Sequence, residues 1–571
     1  MPVNDSVGQK SPTHAYLAFL AAGCALFAWL MPTHQPPWMS FHSELAMAAA
    51  AALLWGWMSV VDQSPDSAWP WAAIVSLLCA LVPAGQWIAG LIGYRADAVV
   101  SMLYLVGAAL ALAMGARAVQ LWDTDRPLTA LAWTLVIAGL ASMWIALYQW
   151  LQLDYLGLYT TSLPPGARAG ANLNQPNLLA TLLILCIAAV AVLRAAGRLS
   201  VAVALLLLAF FGFGLAMTQS RVGTAEVLVL AGWLMLKRRA LPARLGLVPV
   251  LVSTALVLAM IPLWAAAREA VSSEGARGMT EVLGAGMRAI HWASQTDAIL
   301  RKPWIGYGWN QVTLAQFDVV TSHPVSHETI PYSHNAVLDL LVWNGLPLGL
   351  LLVLSLAGWG WFAARRAADT PTVLALGMVG AVALHALLEY PLYYSFFLLP
   401  IGMLAGGVSV ALMPAATLRV GRGWSLAVLL IAGAGVVVLT RDYFGLEADL
   451  RAIRLEQARV GLARGIEPLS HPWMLDHLAA YMRFARNREH EGMSDAELAE
   501  MQAVARRFPS GPNLVRYASA LMLNRQPEQA ADVLRRVCKT ETLQTCQHLQ
   551  QLWARLGELR KAPSDYVWPV D

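Results

Sequence analysis

The chain has 571 residues, of which 58% are hydrophobic and only 13% charged, with 23 Trp and 43 Gly. A composition this apolar excludes a soluble globular protein of this size and makes the lipid bilayer the main solvent. The formal net charge of +4 carries little weight here, because in such a chain what matters is which loops hold the Lys and Arg.

In chain order the apolar runs fall at about 13–31, 42–61, 70–94, 97–121, 128–152, 176–193, 199–217, 221–236, 245–267, 336–362, 371–388, 391–412 and 424–440. Most have the roughly 17–25 residues needed to cross a bilayer, which predicts an all-α polytopic membrane bundle of about 13 transmembrane helices. The run 221–236 is short, and 371–412 can be divided differently. The first run, Ala15 to Met31, lacks a small-residue cleavage site and is followed by similar runs, so it reads as a span rather than a secretory signal.

Charge orients the bundle. With Lys10 inside, the inner loops collect Arg117 and Arg126, Arg194 and Arg198, Lys237, Arg238, Arg239 and Arg244, Arg365 and Arg366, then Arg419 and Arg422. The short outer loops hold Arg95, Arg168 and Arg221. This is the positive-inside pattern, although the acidic inner loop Asp62 to Ser67 runs against it. An odd number of spans sends the long polar segment 268–335 and the tail 441–571 to the outer face, which for a bacterial inner membrane is the periplasm. The expected division is therefore a membrane domain over 1–440, with 268–335 as its large outer loop, and an outer helical domain over 441–571.

Cys24, Cys79 and Cys186 lie in apolar runs, whereas Cys538 and Cys546 lie in the outer tail, where a disulfide can form. Eight residues of helix span about 12 Å, so that pair can close only across a turn. From Gly445 the tail is charged and helical in pattern. Between Leu514 and Val537 the small and aliphatic residues Ala518, Leu521, Ala530, Ala531 and Leu534 have the spacing of a tetratricopeptide hairpin, without a second clean copy.

Candidate chemistry lies at the boundaries of the outer face. Pro331-Tyr332-Ser333-His334-Asn335 closes the long polar segment and opens the apolar run Ala336 to Phe362. Ahead of a helix, free N–H groups and the positive dipole end disfavour imidazolium, so His334 is expected to be neutral and able to act as a general base. The competing reading is an interfacial helix cap. Arg168 precedes Gly170-Ala171-Asn172-Leu173-Asn174-Gln175-Pro176-Asn177, with Pro176 near the first turn of a span. Arg221 ends Thr218-Gln219-Ser220-Arg221, and Arg288 lies in Gly286-Met287-Arg288-Ala289-Ile290-His291-Trp292. Outer-face arginines need partners; a shared phosphate pocket would supply one, and headgroup snorkelling is the alternative.

Taken in order, Arg168…Gly170…Gln175-Pro176-Asn177, Gln219-Ser220-Arg221, Arg288…Trp292…Pro303…Gly306-Tyr307-Gly308 and His334-Asn335…Leu338…Gly345 resemble the O-antigen ligase/polymerase (WaaL/Wzy) superfamily. Glu389-Tyr390-Pro391-Leu392 and the appended helical tail are similar to its PglL-type protein O-oligosaccharyltransferases. The resemblance covers Leu156 to Pro400 well, the tail loosely, and Met1 to Gln152 only as generic spans. One departure is Trp343-Asn344-Gly345: many relatives are expected to carry an acid before this Gly, and a carboxylate helping His334 from there is absent.

The resemblance implies a GT-C-like membrane fold. It also implies transfer of a preassembled glycan from undecaprenyl pyrophosphate to a hydroxyl of a periplasmic or pilin-type acceptor protein, without cofactor, metal, nucleotide sugar or nucleic acid. By resemblance His334 is the base, Arg168, Arg221 and Arg288 hold pyrophosphate, and Gln175, Asn177 and Tyr390 bind donor or acceptor, with Tyr393 competing for the role of Tyr390. A ligase to lipid A core and a glycan polymerase stay open within the superfamily. A lipid-linked-sugar transporter is the alternative from another class, for which ionisable groups near mid-membrane would be expected. Asp123-Thr124-Asp125 reads as a solvated turn. His385 and Glu389, four apart, are placed on one helical face, where they either pair or simply pack.

Overall fold

Each of the apolar runs carries helix. The computed structural model describes residues 15–153, 155–271, 288–458, 460, 469–562 and 564–569; Lys10, Gly286, Met287 and the 272–287 part of the long loop lie outside the described residues. Among the described residues nine helices are long and apolar enough to cross a membrane. Three apolar helices are shorter, Tyr16–Leu30, Val201–Met217 and Thr370–Ala386, and Arg221–Leu236 covers the short run noted above. The chain is a polytopic, mostly helical membrane protein.

It divides into two units. The first comprises Met1–Ala80, Leu103–Ala276 and Ala357–Val437; the second comprises Leu81–Met102, Arg277–Leu356 and Val438–Asp571.

At the centre of the first unit lies the helix Pro176–Ala195, buried on all sides from Leu178 to Val190. A helix that is apolar all round is stable only when surrounded, and this one packs against Asp125–Trp150, Val201–Met217, Arg221–Leu236 and Thr370–Ala386. Its start follows from the sequence: the Gln175 side chain accepts a hydrogen bond from the Leu178 N–H at 2.6 Å, and Pro176 occupies the first turn, where its missing N–H costs nothing. The purely helical expectation misses one element, a two-stranded antiparallel sheet pairing Asp66–Pro70 with Thr417–Gly421. The sheet also accounts for the acidic loop that breaks the charge pattern. Asp62 pairs with Arg117 at 3.1 Å and Asp66 with Arg419 at 3.1 Å, so its acids meet two of the basic residues counted in the charge pattern.

The second unit has a soluble-type core of Leu498, Val504, Leu514, Ala518, Leu521, Leu534, Val537 and Trp553. The hairpin read from Leu514 to Val537 is two helices, Gly511–Leu523 and Pro527–Thr540. Asp476 fastens the start of the Arg95–Trp122 helix, accepting from the Arg95 and Ala96 N–H groups at 3.0 and 2.9 Å. Arg507 then grips Asp97 with two guanidinium nitrogens at 2.9 and 2.7 Å. Cys538 and Cys546 form a disulfide, with Cα atoms 5.2 Å apart. The bond closes because the chain turns between the helix ending at Thr540 and the one starting at Leu543.

Candidate active site

In the first unit, several residues singled out by sequence meet around Arg168. Its Nε donates to the Thr218 carbonyl at 2.7 Å and its Nη2 to Asn177 Oδ1 at 3.0 Å. Asn177 passes the connection on, its Nδ2 donating to Glu389 Oε1 at 2.8 Å. Three loops distant in sequence are thereby tied together: the Gln-Pro-Asn turn, the Thr218-Gln219-Ser220-Arg221 corner and the Glu389-Tyr390-Pro391 turn. The corner is tight, with Gln219 at φ +49°. Ser220 Oγ accepts from the Gly223 N–H at 3.2 Å, opening a helix whose first residue is the exposed Arg221. The Gln175 Oε1 is engaged in capping. Tyr390 and Tyr393 share one aromatic cluster, ring centres 6.4 Å apart and perpendicular, so the alternative placement of the aromatic role falls within a single patch.

One turn further into this bundle is an ionisable pair, and of the two readings open for His385 and Glu389 the pairing is not the one met. His385 and Glu389 do not form a side-chain pair. The Thr370–Ala386 helix ends between them, and Glu389 turns to Asn177 while His385 stays inside. There His385 Nδ1 pairs with the Thr181 hydroxyl and lies 3.5 Å from Glu226 Oε1, both His385 and Glu226 having no solvent exposure. The Thr181 hydroxyl also reaches the Asn177 carbonyl at 3.0 Å, so the buried pair supports the residue that contacts Arg168.

In the second unit His334 sits at φ +55° in the turn before the Ala336 helix. The cap is its neighbour: Asn335 Oδ1 accepts from the Val337 and Leu338 N–H groups at 2.9 and 3.2 Å, which leaves the imidazole out of that role. The turn is held from below by buried Asp339, which accepts from the Ser333 N–H at 2.9 Å and from its hydroxyl, and from the side by Trp292, whose indole donates to the Ser333 carbonyl at 2.9 Å. Trp292 and Arg288 share the helix Arg288–Arg301. On that helix buried His291 lies 3.3 Å from Glu328, and the hydrogen bond from His291 holds the Glu328 carboxyl below its usual range.

The Pro303 to Gly308 motif serves as scaffold. The Leu346 N–H donates to the Pro303 carbonyl at 2.6 Å, and the Tyr307 and Gly308 N–H groups donate to the carbonyls of Val342 and Trp343. Gly345, at φ +70°, interrupts the helix where a side chain would strike the Trp304 backbone, so only glycine fits. Asn344 donates to the Leu340 carbonyl at 3.0 Å in its own helix.

Sequence reasoning missed Glu226, Glu328 and Asp339. Asp339 and Glu226 had a signal, an acid within an apolar run. Glu328 had none, its partner His291 being 37 residues away.

Two family descriptions match the chain, that of O-antigen ligases over residues 204–353 and that of the C-terminal part of a virulence-factor membrane-bound polymerase over residues 373–540. The chain is 29% identical over 568 residues, 95% of its own length and 96% of the relative's, to a general O-oligosaccharyltransferase of Acinetobacter baylyi. It is 28% identical over 327 residues, 57% of its length and 59% of the relative's, to a ComP-specific O-oligosaccharyltransferase of the same organism. Fold and relationships together define a multi-pass helical membrane glycosyltransferase. These matches support placing the chain with the O-antigen ligase/polymerase superfamily, where it is similar to the PglL-type O-oligosaccharyltransferases.

Proposed function

We propose that this protein O-oligosaccharyltransferase takes its glycan from undecaprenyl pyrophosphate and places it on Ser or Thr hydroxyls of periplasmic or pilin-like proteins. In this reading the bundle crosses the bacterial inner membrane about thirteen times, with the site and the tail 441–571 in the periplasm. The acceptor oxygen attacks the anomeric carbon, its proton passing to His334, while the bond to pyrophosphate breaks and the pyrophosphate leaves with the electron pair. Arg168, Arg221 and Arg288 stabilise the charge on that leaving group, and Gln175, Asn177 and Tyr390 orient donor and acceptor.

The observation that carries this reading is the Arg168–Asn177–Glu389 chain anchored on the Thr218 carbonyl, because it fixes one guanidinium beside the corner that bears Arg221. A full-length match to a relative named for general activity supports a broad range of acceptor proteins. The polymerase-type match over 373–540 favours a glycan as the second acceptor to test. Transport is less well supported: Glu226 lies five residues from the helix start at Arg221, about 7.5 Å in, rather than at mid-bundle.

The test is reconstitution with lipid-linked oligosaccharide and, in parallel, pilin, lipid A core and glycan acceptors, read by mass spectrometry. Mass added to protein supports the proposal; mass added only to lipid A core or glycan overturns it. His334→Ala should abolish transfer while donor still binds, and full activity in that variant would remove the proposed base.

A further inference from the structure

Four helices of the first unit, Pro176–Ala195, Val201–Met217, Arg221–Leu236 and Leu247–Val271, enclose a cavity of about 270 Å³. Its wall is apolar, with Val190, Leu208, Val227 and Val257 among the lining residues, and among the described residues no acid lines it. The charge is confined to one end. Arg194 lies in the last turn of the first helix, and Arg244 in the short turn before the fourth. Val201 at the start of the second helix and Leu234 near the end of the third mark the same level. Asn177 is 17 residues back from Arg194 on one straight helix, about 25 Å away. The charged end of the cavity therefore lies at the end of the bundle opposite the Arg168 cluster.

This charged end is built. Arg194 Nη1 donates to the Leu199 carbonyl at 3.2 Å, which aims its guanidinium past the helix end. The helix closes on Gly197 at φ +70°, and Arg244 Nη1 lies 3.0 Å from where a Cβ would stand, so the second guanidinium rests against this same turn. Lys237, Arg238 and Arg239 follow in the adjoining loop, without an intervening acid. An apolar slot between helices that ends in two arginines and a basic loop is complementary to a molecule with a hydrocarbon tail and an anionic head. Arginine's fork suits a phosphate in particular.

We propose that this cleft binds an anionic phospholipid, with an acyl chain between the helices and its phosphate on Arg194 and Arg244. The site is separate from the residues assigned to transfer and does not depend on which donor or acceptor the enzyme uses.

The experiment is native mass spectrometry of the full-length protein in detergent, titrated with phosphatidylglycerol or with phosphatidylcholine of the same acyl chains, and challenged with sn-glycerol 3-phosphate. On the scale for a basic residue at an anionic headgroup, each arginine should favour phosphatidylglycerol by about fivefold. The Arg194→Gln/Arg244→Gln double variant should bring its retention down to that of phosphatidylcholine. Ala204→Phe, which fills the cavity without touching a charge, should lower retention of both lipids, and retained oligosaccharide transfer certifies that each variant is folded. Equal retention of the two lipids by the unmodified protein, or retention unchanged in both variants, overturns the proposal. Displacement by sn-glycerol 3-phosphate would assign the arginines to a soluble phosphate and overturn it equally.

Discussion

Replacing His385 by Leu isolates a carboxyl buried among apolar helices. Glu226 and His385 are 3.5 Å apart and both wholly buried. Breaking a buried pair while leaving one member behind in an apolar interior costs about 3–5 kcal/mol in practice. His385→Leu should therefore lower unfolding stability in detergent by about 3–5 kcal/mol, measured by urea or thermal unfolding followed by tryptophan fluorescence. The companion variant His385→Leu/Glu226→Leu removes both polar groups and should lie within about 2 kcal/mol of the parent, because a packed apolar pair replaces a buried polar one at little net cost. Transfer should fall in the single variant beyond what stability explains, since Thr181 loses its His385 partner and Thr181 supports the Asn177 carbonyl. If the single variant lost less than about 1 kcal/mol, or the double variant were as unstable as the single, the two residues would not depend on each other and the reasoning would be wrong.

Asp339→Ala removes both bonds to Ser333 and should cost about 1–3 kcal/mol. It should lower kcat more than KM, because it loosens the turn that presents His334. Arg168→Ala should raise the donor KM more than the acceptor KM; unchanged donor kinetics would leave Arg168 as a structural tie between Thr218 and Asn177. In the second unit, burial, with nearby Arg507 adding to it, pushes the imidazole of His477 down to about 4 against the pull of Asp97. The folded form thus holds His477 neutral, and stability present above pH 6.5 should fall as pH drops towards 4, by about 2 kcal/mol between pH 7.5 and 5. His477→Gln should flatten that part of the pH–stability curve. The Cys538→Ser/Cys546→Ser pair opens a short loop and should cost about 2–3 kcal/mol. It should also loosen Ser326 and His327, which bond the Lys539 and Glu541 carbonyls beside Glu328, seen as faster hydrogen exchange at 326–328.

The chain's class and its broad outline were legible in one dimension. Runs of apolar residues have to be helical in a bilayer, where no water satisfies a backbone group, so the spans at 176–193 or 336–362 could be read directly. Pro176 at the first turn of its span was legible too, because that preference is local, whereas the caps themselves fell on Gln175 and Asn335, to which sequence reasoning assigned no such role. The family followed from the order of short motifs from Arg168 to Gly345, each individually weak. The tertiary structure decided the pairings that span hundreds of positions. Asn177 turned out to meet Glu389, His385 to meet Glu226 instead of its neighbour at i+4, and the acids of the Asp62–Ser67 loop to meet Arg117 and Arg419. Periodicity reports which face of a helix is apolar but not which partner covers it, and a buried polar group is satisfied by whatever donor or acceptor the fold brings within about 3 Å.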